Sequence, residues 1–233
     1  MISTSKGQSY YDWEESFKHN HTKEAIGISS EEFEGFLNNW KSENLYSKKD
    51  QAFNQILVLD IETTGFKPYS DMICEIGICA LNLDNGKVEP VFHIICQEEN
   101  KKIDDSSWIF QNSDLSIYSV RNAQYLEEFR DTLQKSLIEH PCTAYNQRFD
   151  FSFLEARGFK IPKKFWDPMH KLTPILKILK YDGAYKWPSV QEAYDYFFPK
   201  EKYVERHRAL DDAKHEAKII YATYKLLKER GKT

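Results

Sequence analysis

Long apolar runs are missing from this sequence of 233 residues. No segment approaches the roughly 20 consecutive apolar residues that cross a bilayer, and the opening MISTSKGQSYYDWEES carries no apolar signal core. The expectation is a soluble, cytoplasmic protein with no membrane attachment. Cysteine is scarce too: Cys74, Cys79, Cys96 and Cys142 sit in apolar runs, without C-x-x-C spacing and without a histidine at metal-finger spacing. That excludes a disulfide scaffold and leaves four reduced core residues. Internal repeats and low-complexity tracts are absent. So is any large excess of one charge, since a net -4 argues against a strongly basic nucleic-acid coat. The charge is nevertheless uneven. Residues 1–150 hold 14 Lys+Arg against 25 Asp+Glu, and residues 151–233 hold 18 against 11. Such polarity either guides a polyanion along one side or reflects solvated helix faces.

What is present is enough to fold. At 41% hydrophobic and 15% aromatic content the chain can bury a sizeable core. Residues 1–52 lack strand-like runs and read as an N-terminal extension, with residues 53–233 forming one domain. Within the extension Ser29 and Glu32 have capping-box spacing, and Phe33, Phe36, Leu37 and Trp40 follow at i, i+3, i+4 and i+7. That predicts an amphipathic helix, whose stripe either packs on the protein's own core or docks a protein partner or a second copy.

From Gln55 the pattern changes. Ile56-Leu57-Val58-Leu59 reads as a central strand buried on both faces. Strands over residues 72–81 and 88–96 follow, joined through Asp84-Asn85-Gly86, a hairpin signal, so the first three strands form a meander. The spacing then predicts a helix over 122–138, a short strand over 142–145 and a helix over 149–157 ending at Gly158. A helix from about Val190, capped near Pro188 or Ser189, and a closing helix over 209–229 complete an α/β chain with a mixed sheet.

Asp60-Ile61-Glu62 falls at the carboxyl end of the central strand, where period-2 geometry points both carboxylates to one side. That end is where open α/β sheets bind ligands, and hard cations want carboxylate oxygens. A second acidic triplet, Asp12-Trp13-Glu14, has no strand before it. Thr63-Thr64-Gly65 adds hydroxyls and a glycine where backbone can approach a ligand, or is an ordinary strand-ending turn. In Tyr145-Asn146-Gln147-Arg148-Phe149-Asp150 the aspartate enters the first turn of a helix, where it is either a ligand or a partner of the helix dipole. In His207-Arg208-Ala209-Leu210-Asp211-Asp212 a loop histidine and a helix aspartate can reach one point from different directions. Histidine is the side chain whose ordinary pKa suits a base near neutral pH.

Together the segments LDIETTG (59–65), YNQRFD (145–150) and HRALDDA (207–213), in this order and spacing over residues 55–230, resemble the three motifs of the DEDDh branch of the DnaQ-like 3′ to 5′ exonucleases. That branch includes the proofreading epsilon subunit, RNase T and oligoribonuclease. The resemblance implies an RNase H-like fold with a mixed five-stranded sheet flanked by helices. It also implies two Mg²⁺ or Mn²⁺ ions and release of nucleoside 5′-monophosphates from a single-stranded 3′ end of DNA or RNA. It carries over Asp60, Glu62, Asp150 and Asp212 as metal ligands and His207 as general base. Thr63, Thr64, Gly65, Phe66 and Asn146 are then candidates for holding the terminal nucleotide, Phe66 either by stacking on its base or as a buried loop anchor. Clustered carboxylates repel and call for cations.

Two departures stand out. Tyr145 occupies a position where many relatives carry histidine. Asp211 adjoins Asp212, but only Asp212 has the five-residue offset from His207, and Asp211 is expected to face solvent. His93, His140, His170 and His215 form no spaced pair that suggests a separate metal site, and Lys160, Lys163, Lys164, Lys171, Lys177, Lys180 and Lys186 form the basic stretch most suited to phosphates. The alternative to an active exonuclease is a catalytically silent nucleic-acid-binding module; a tethered subunit of a larger assembly is a further reading, compatible with an active enzyme.

Overall fold

The computed structural model describes residues 54–231. The expected amphipathic helix over 29–40 and the Asp12–Glu14 triplet lie outside the described residues. Three antiparallel strands, β1 (Gln55–Thr63), β2 (Ile73–Asn82) and β3 (Val88–Ile95), form the meander, and β4 (Cys142–Thr143) joins β1 in parallel, giving the order β3-β2-β1-β4. The sheet is mixed, as expected, but has four strands among the described residues instead of five. Beyond β4 the chain adds only one parallel bridge, between Cys142 and Lys164.

Side-chain alternation along β1 divides the molecule into layers. Ile56 and Val58 pack with Cys79, Leu81, Ala213, Ala217 and Ile220, on the face covered by the last helix. Leu57, Leu59 and Ile61 pack on the other face, against Leu133, Leu137, Phe151 and Leu154. Each such aliphatic side chain stabilises the fold by roughly 1.5–3 kcal/mol relative to leaving it in water.

The helices follow the apolar spacing with one correction. The first two, α1 (Trp108–Asn112) and α2 (Ile117–Arg121), were not legible in the pattern. The helix expected over 122–138 begins only at α3 (Arg130–Glu139), after a 3-10 turn at Leu126–Phe129. Hydrogen bonds from Leu126 N to Gln97 O and from Gln97 N to Gln124 O hold residues 124–126 against the end of β3, which keeps them out of the helix. Then come α4 (Gln147–Ala156), α5 (Pro168–Leu176), which the spacing did not predict, α6 (Val190–Phe197, capped by Ser189 with Glu192) and α7 (Ala209–Glu229). No helix of the described residues is long and apolar enough to cross a membrane.

One close approach fixes the layer spacing. Gly77, paired with Asp60 across the β1–β2 ladder, lies directly beneath the backbone of Ala209 and Leu210, and a Cβ there would collide with it. The start of α7 therefore rests on the strand beside Asp60.

Candidate active site

Asp60 and Glu62 continue the Ile56–Val58 face of β1, so they point toward α7. The ladder shifts register between Glu62 and Thr63, a bulge at the site's margin. From α7, Asp212 meets them: its Oδ2 accepts Arg208 N–H at 3.0 Å and its Oδ1 accepts the Tyr203 hydroxyl at 3.1 Å. Donor atoms of Glu62, His207 and Asp212 all lie within 4.8 Å of one another.

Asp150 arrives from the opposite layer. Strand β4 pairs with β1 only at Leu57 and Val58, so the ladder ends before Ile61. The Ile61 N–H is met instead by Asp150 Oδ1 at 3.3 Å, satisfying a buried donor that would otherwise cost free energy. The helix carrying Asp150 is held by its preceding turn. Tyr145 is buried, and its hydroxyl lies 3.1 Å from the carbonyl oxygens of both Pro188 and Ser189, so the residue that departs from histidine tethers the loop before α6.

Two further carboxylates join the cluster. Glu216, one helical turn beyond Asp212, is buried and accepts Tyr145 N–H at 3.2 Å; Glu205 stands on the cavity wall. The i+4 spacing from Asp212 could have flagged Glu216, whereas nothing local marks Glu205. Burial, then repulsion from Glu216, Glu62, Asp150 and Asp212, drives the Asp60 carboxyl well above its usual range. Glu62, Asp212 and Glu216 rise for the same reasons, burial first. Burial lifts Asp150 to about 8 against two backbone hydrogen bonds, and lifts Glu205 to about 7. The donor chemistry fits hard divalent cations: oxygen donors dominate, and positive charge would relieve what raises them.

His207 is held in a left-handed conformation, φ 55°, uncommon for a residue with a side chain. Arginines flank it on both sides. Arg206 bonds Asp114 at 2.7 Å, and buried Arg208 bonds Glu75 at 3.0–3.2 Å through Nε and Nη2. The Trp108 ring stands edge-on to the imidazole, centroids 4.8 Å apart.

These groups open on a cavity of about 440 Å³ lined by Asp60, Glu62, Glu205, His207 and Asp212 together with the turn 63–66 and the rings of Trp108 and Phe149. Thr63, Thr64, Gly65 and Phe66 are on its wall; Asn146 and Asp150 are not. The threonine hydroxyls shape the turn: Thr63 donates to Gly65 O at 2.6 Å, and Thr64 accepts Met72 N–H at 2.9 Å. Phe66 is 70% exposed, edge-on to Phe149 at 6.2 Å, so it is not a buried anchor. Asn146 is exposed and its carbonyl caps α4. Asp211 corrects another expectation: it is buried, because α7 is covered on that side by Tyr203 and Tyr194, which pack on His215 beside it.

The family model described as an exonuclease, RNase_T, matches residues 57–220. The chain is 28% identical over 181 residues to a PolC-type DNA polymerase III of Caldanaerobacter subterraneus subsp. tengcongensis, covering 76% of this chain and 12% of that protein. It is 30% identical over 179 residues to the PolC-type polymerase of Thermotoga maritima, covering 76% and 12%. The chain thus spans about an eighth of these relatives' length. Among solved structures, the nuclease domain of 3′hExo, a DEDDh family member bound to rAMP, superposes with a TM-score of 0.60 at 16% identity, covering 79% of this chain and 96% of that one. E. coli Exonuclease I in complex with a dT13 oligonucleotide does so with 0.54 at 17% identity, covering 76% and 41%. These likenesses share the fold.

Proposed function

The chain belongs to the exonuclease family, and from that membership we propose that it removes nucleotides one at a time from the 3′ end of single-stranded nucleic acid, releasing nucleoside 5′-monophosphates. The observation that carries the reading is the group of buried, mutually repelling carboxylates gathered around His207 at the mouth of an aromatic-walled cavity. A site that only bound nucleic acid would gain nothing from them.

Asp60, Glu62, Asp150 and Asp212 would hold two divalent ions, Mg²⁺ or Mn²⁺. Bound there, such ions supply positive charge to the scissile phosphate and lower the pKa of water. His207 takes the proton from the water that attacks the terminal phosphorus as the bond to the 3′ oxygen breaks. Its fixed backbone and the Trp108 edge aim the imidazole into the cavity. The turn 63–65 receives the sugar-phosphate, and exposed Phe66 offers a face for the base. The named relatives bind rAMP in one case and dT13 in the other, so the sugar is settled by experiment.

Purified protein with Mg²⁺ or Mn²⁺ is expected to shorten 5′-labelled DNA or RNA single strands into a ladder, with monophosphates as product. His207→Ala should slow the reaction by about 10²–10⁴-fold. No shortening of either polymer with either metal would refute the proposal. Because the chain matches only 12% of the length of the PolC-type polymerases, membership of a larger assembly is a second reading, with residues 1–52 as the expected tether. Deleting those residues and comparing elution by size exclusion tests it.

A further inference from the structure

Between α5 and α6 the chain makes a hairpin that no catalytic argument uses. Leu179 bridges Tyr185 in antiparallel fashion, Lys180 N–H donates to Ala184 O at 2.7 Å, and Lys186 N–H to Ile178 O at 2.8 Å. The tip closes with Gly183 at φ 82°, where a side chain would be strained, and with the Asp182 carboxylate accepting Ala184 N–H. The fold is specified, yet its apolar side chains are not buried. Leu179 is 64% exposed and Trp187 60%, Tyr185 is close to half exposed, and Tyr181 at the tip is fully exposed.

Lysines are interleaved with these rings. Residues 160–187 contain seven lysines against two aspartates and no glutamate. Lys186 is paired with Glu192, Lys164 with Glu155, and Lys163 donates to the Glu139 carbonyl; the other four, Lys160, Lys171, Lys177 and Lys180, are exposed, the last three of them toward the hairpin's end of the sequence. Aromatic rings spaced among lysines match a polyanion with stackable bases: the rings take base faces and the lysines take phosphates. Protein interfaces also use aromatics, but they are depleted in lysine.

The hairpin is fastened beside the site. The Trp187 ring lies 5.5 Å from that of His170 in the first turn of α5, whose capping Asp167 accepts Gln147 N–H. Pro188 and Ser189, the next residues, are those tethered by the Tyr145 hydroxyl. The hairpin is thus anchored to the turn that leads into Asp150's helix.

We propose that this hairpin is a second grip for single-stranded nucleic acid, holding nucleotides upstream of the 3′ end while the end lies in the cavity. The placement of the end rests on the proposed exonuclease reading; the grip itself does not. The test uses the full-length protein in EDTA, with fluorescence anisotropy of labelled dT4 and dT20 and of the matching uridine oligomers. Tyr181→Ala with Trp187→Ala should weaken binding of a 20-mer by about 5-fold or more. Lys177→Gln with Lys180→Gln should flatten the salt dependence of 20-mer binding by up to about one unit of log–log slope per lost contact. Both should leave the 4-mer, and Mn²⁺-dependent hydrolysis of thymidine 5′-p-nitrophenyl phosphate, within 2-fold of wild type. Unchanged 20-mer binding in both variants overturns the proposal, as does equal loss on 4-mer and 20-mer, or a change of oligomeric state with no effect on either oligomer. Hairpin-dependent binding by a wild type that hydrolyses nothing upholds the grip and removes the exonuclease reading instead.

Discussion

Two groups of buried acids lie side by side in this fold, and they differ in what answers their charge. Glu75 on β2 is fully buried directly opposite Glu62 on β1. Burial would raise the Glu75 carboxyl, but the Arg208 guanidinium and the His93 ring, 2.5 Å away, outweigh it and hold it down at about 2. Across the ladder Glu62, with Asp60 and Asp212, is driven the other way, as burial and like charge add together. The chain answers one charge as it folds and leaves the others for something that binds afterwards. The first group is architecture; the second is what the proposed cations would answer.

The sharpest way to break this distinction is substitution on the unanswered side. Asp60→Asn should abolish most hydrolysis, well beyond the roughly 10- to 100-fold cost of disturbing an outer partner. Its melting temperature in EDTA should match or exceed that of wild type, because one repelling charge has gone. A fall in both quantities would mean that Asp60 is structural like Glu75. On the answered side, Glu75→Gln leaves the buried Arg208 charge uncompensated and should cost about 3–5 kcal/mol in urea denaturation. A cost below about 1 kcal/mol would show the pair to be dispensable.

Smaller and more diagnostic is the response to pH. Asp150, about 8 in the folded protein against an ordinary 3.8, keeps its proton when folded and gives it up on unfolding. In EDTA each such group therefore lowers stability as pH rises from about 4 to 8, by at most about 1.4 kcal/mol per pH unit. Glu75 has the opposite sign: its contribution is complete above about 4.5 and fades as pH falls toward 2. Thermal melts from pH 5 to 8 should thus decline without cation and flatten with Mn²⁺. Parallel curves with and without the metal would contradict the idea that cations answer these carboxylates.

How far the site could be read from the sequence depends on which geometry places each residue. Asp60 and Glu62 follow from strand alternation, which local sequence encodes directly. Asp212 was chosen over Asp211 by the offset from His207 in the motif it resembles. Asp150 was legible only through family resemblance, because its position depends on where β4 stops, and two residues of strand leave almost no pattern. Asp211 was misplaced because a helix covered on several sides cannot be divided into wet and dry by a single stripe. Glu205 depends on a loop path that periodicity does not describe. The split of the helix expected over 122–138 came from contacts with Gln97, 25 residues and more away in sequence.

Gly77 sets the gauge of the candidate site. With no side chain between β2 and the backbone of α7, the distance from Asp60 to Asp212 is fixed by bare main chain on both sides, as a shim of zero thickness fixes the gap between two plates. A single methyl group at that point would act as a wedge, prising apart residues it never touches. Gly77→Ala is therefore expected to weaken the proposed reaction from a place with no chemistry of its own.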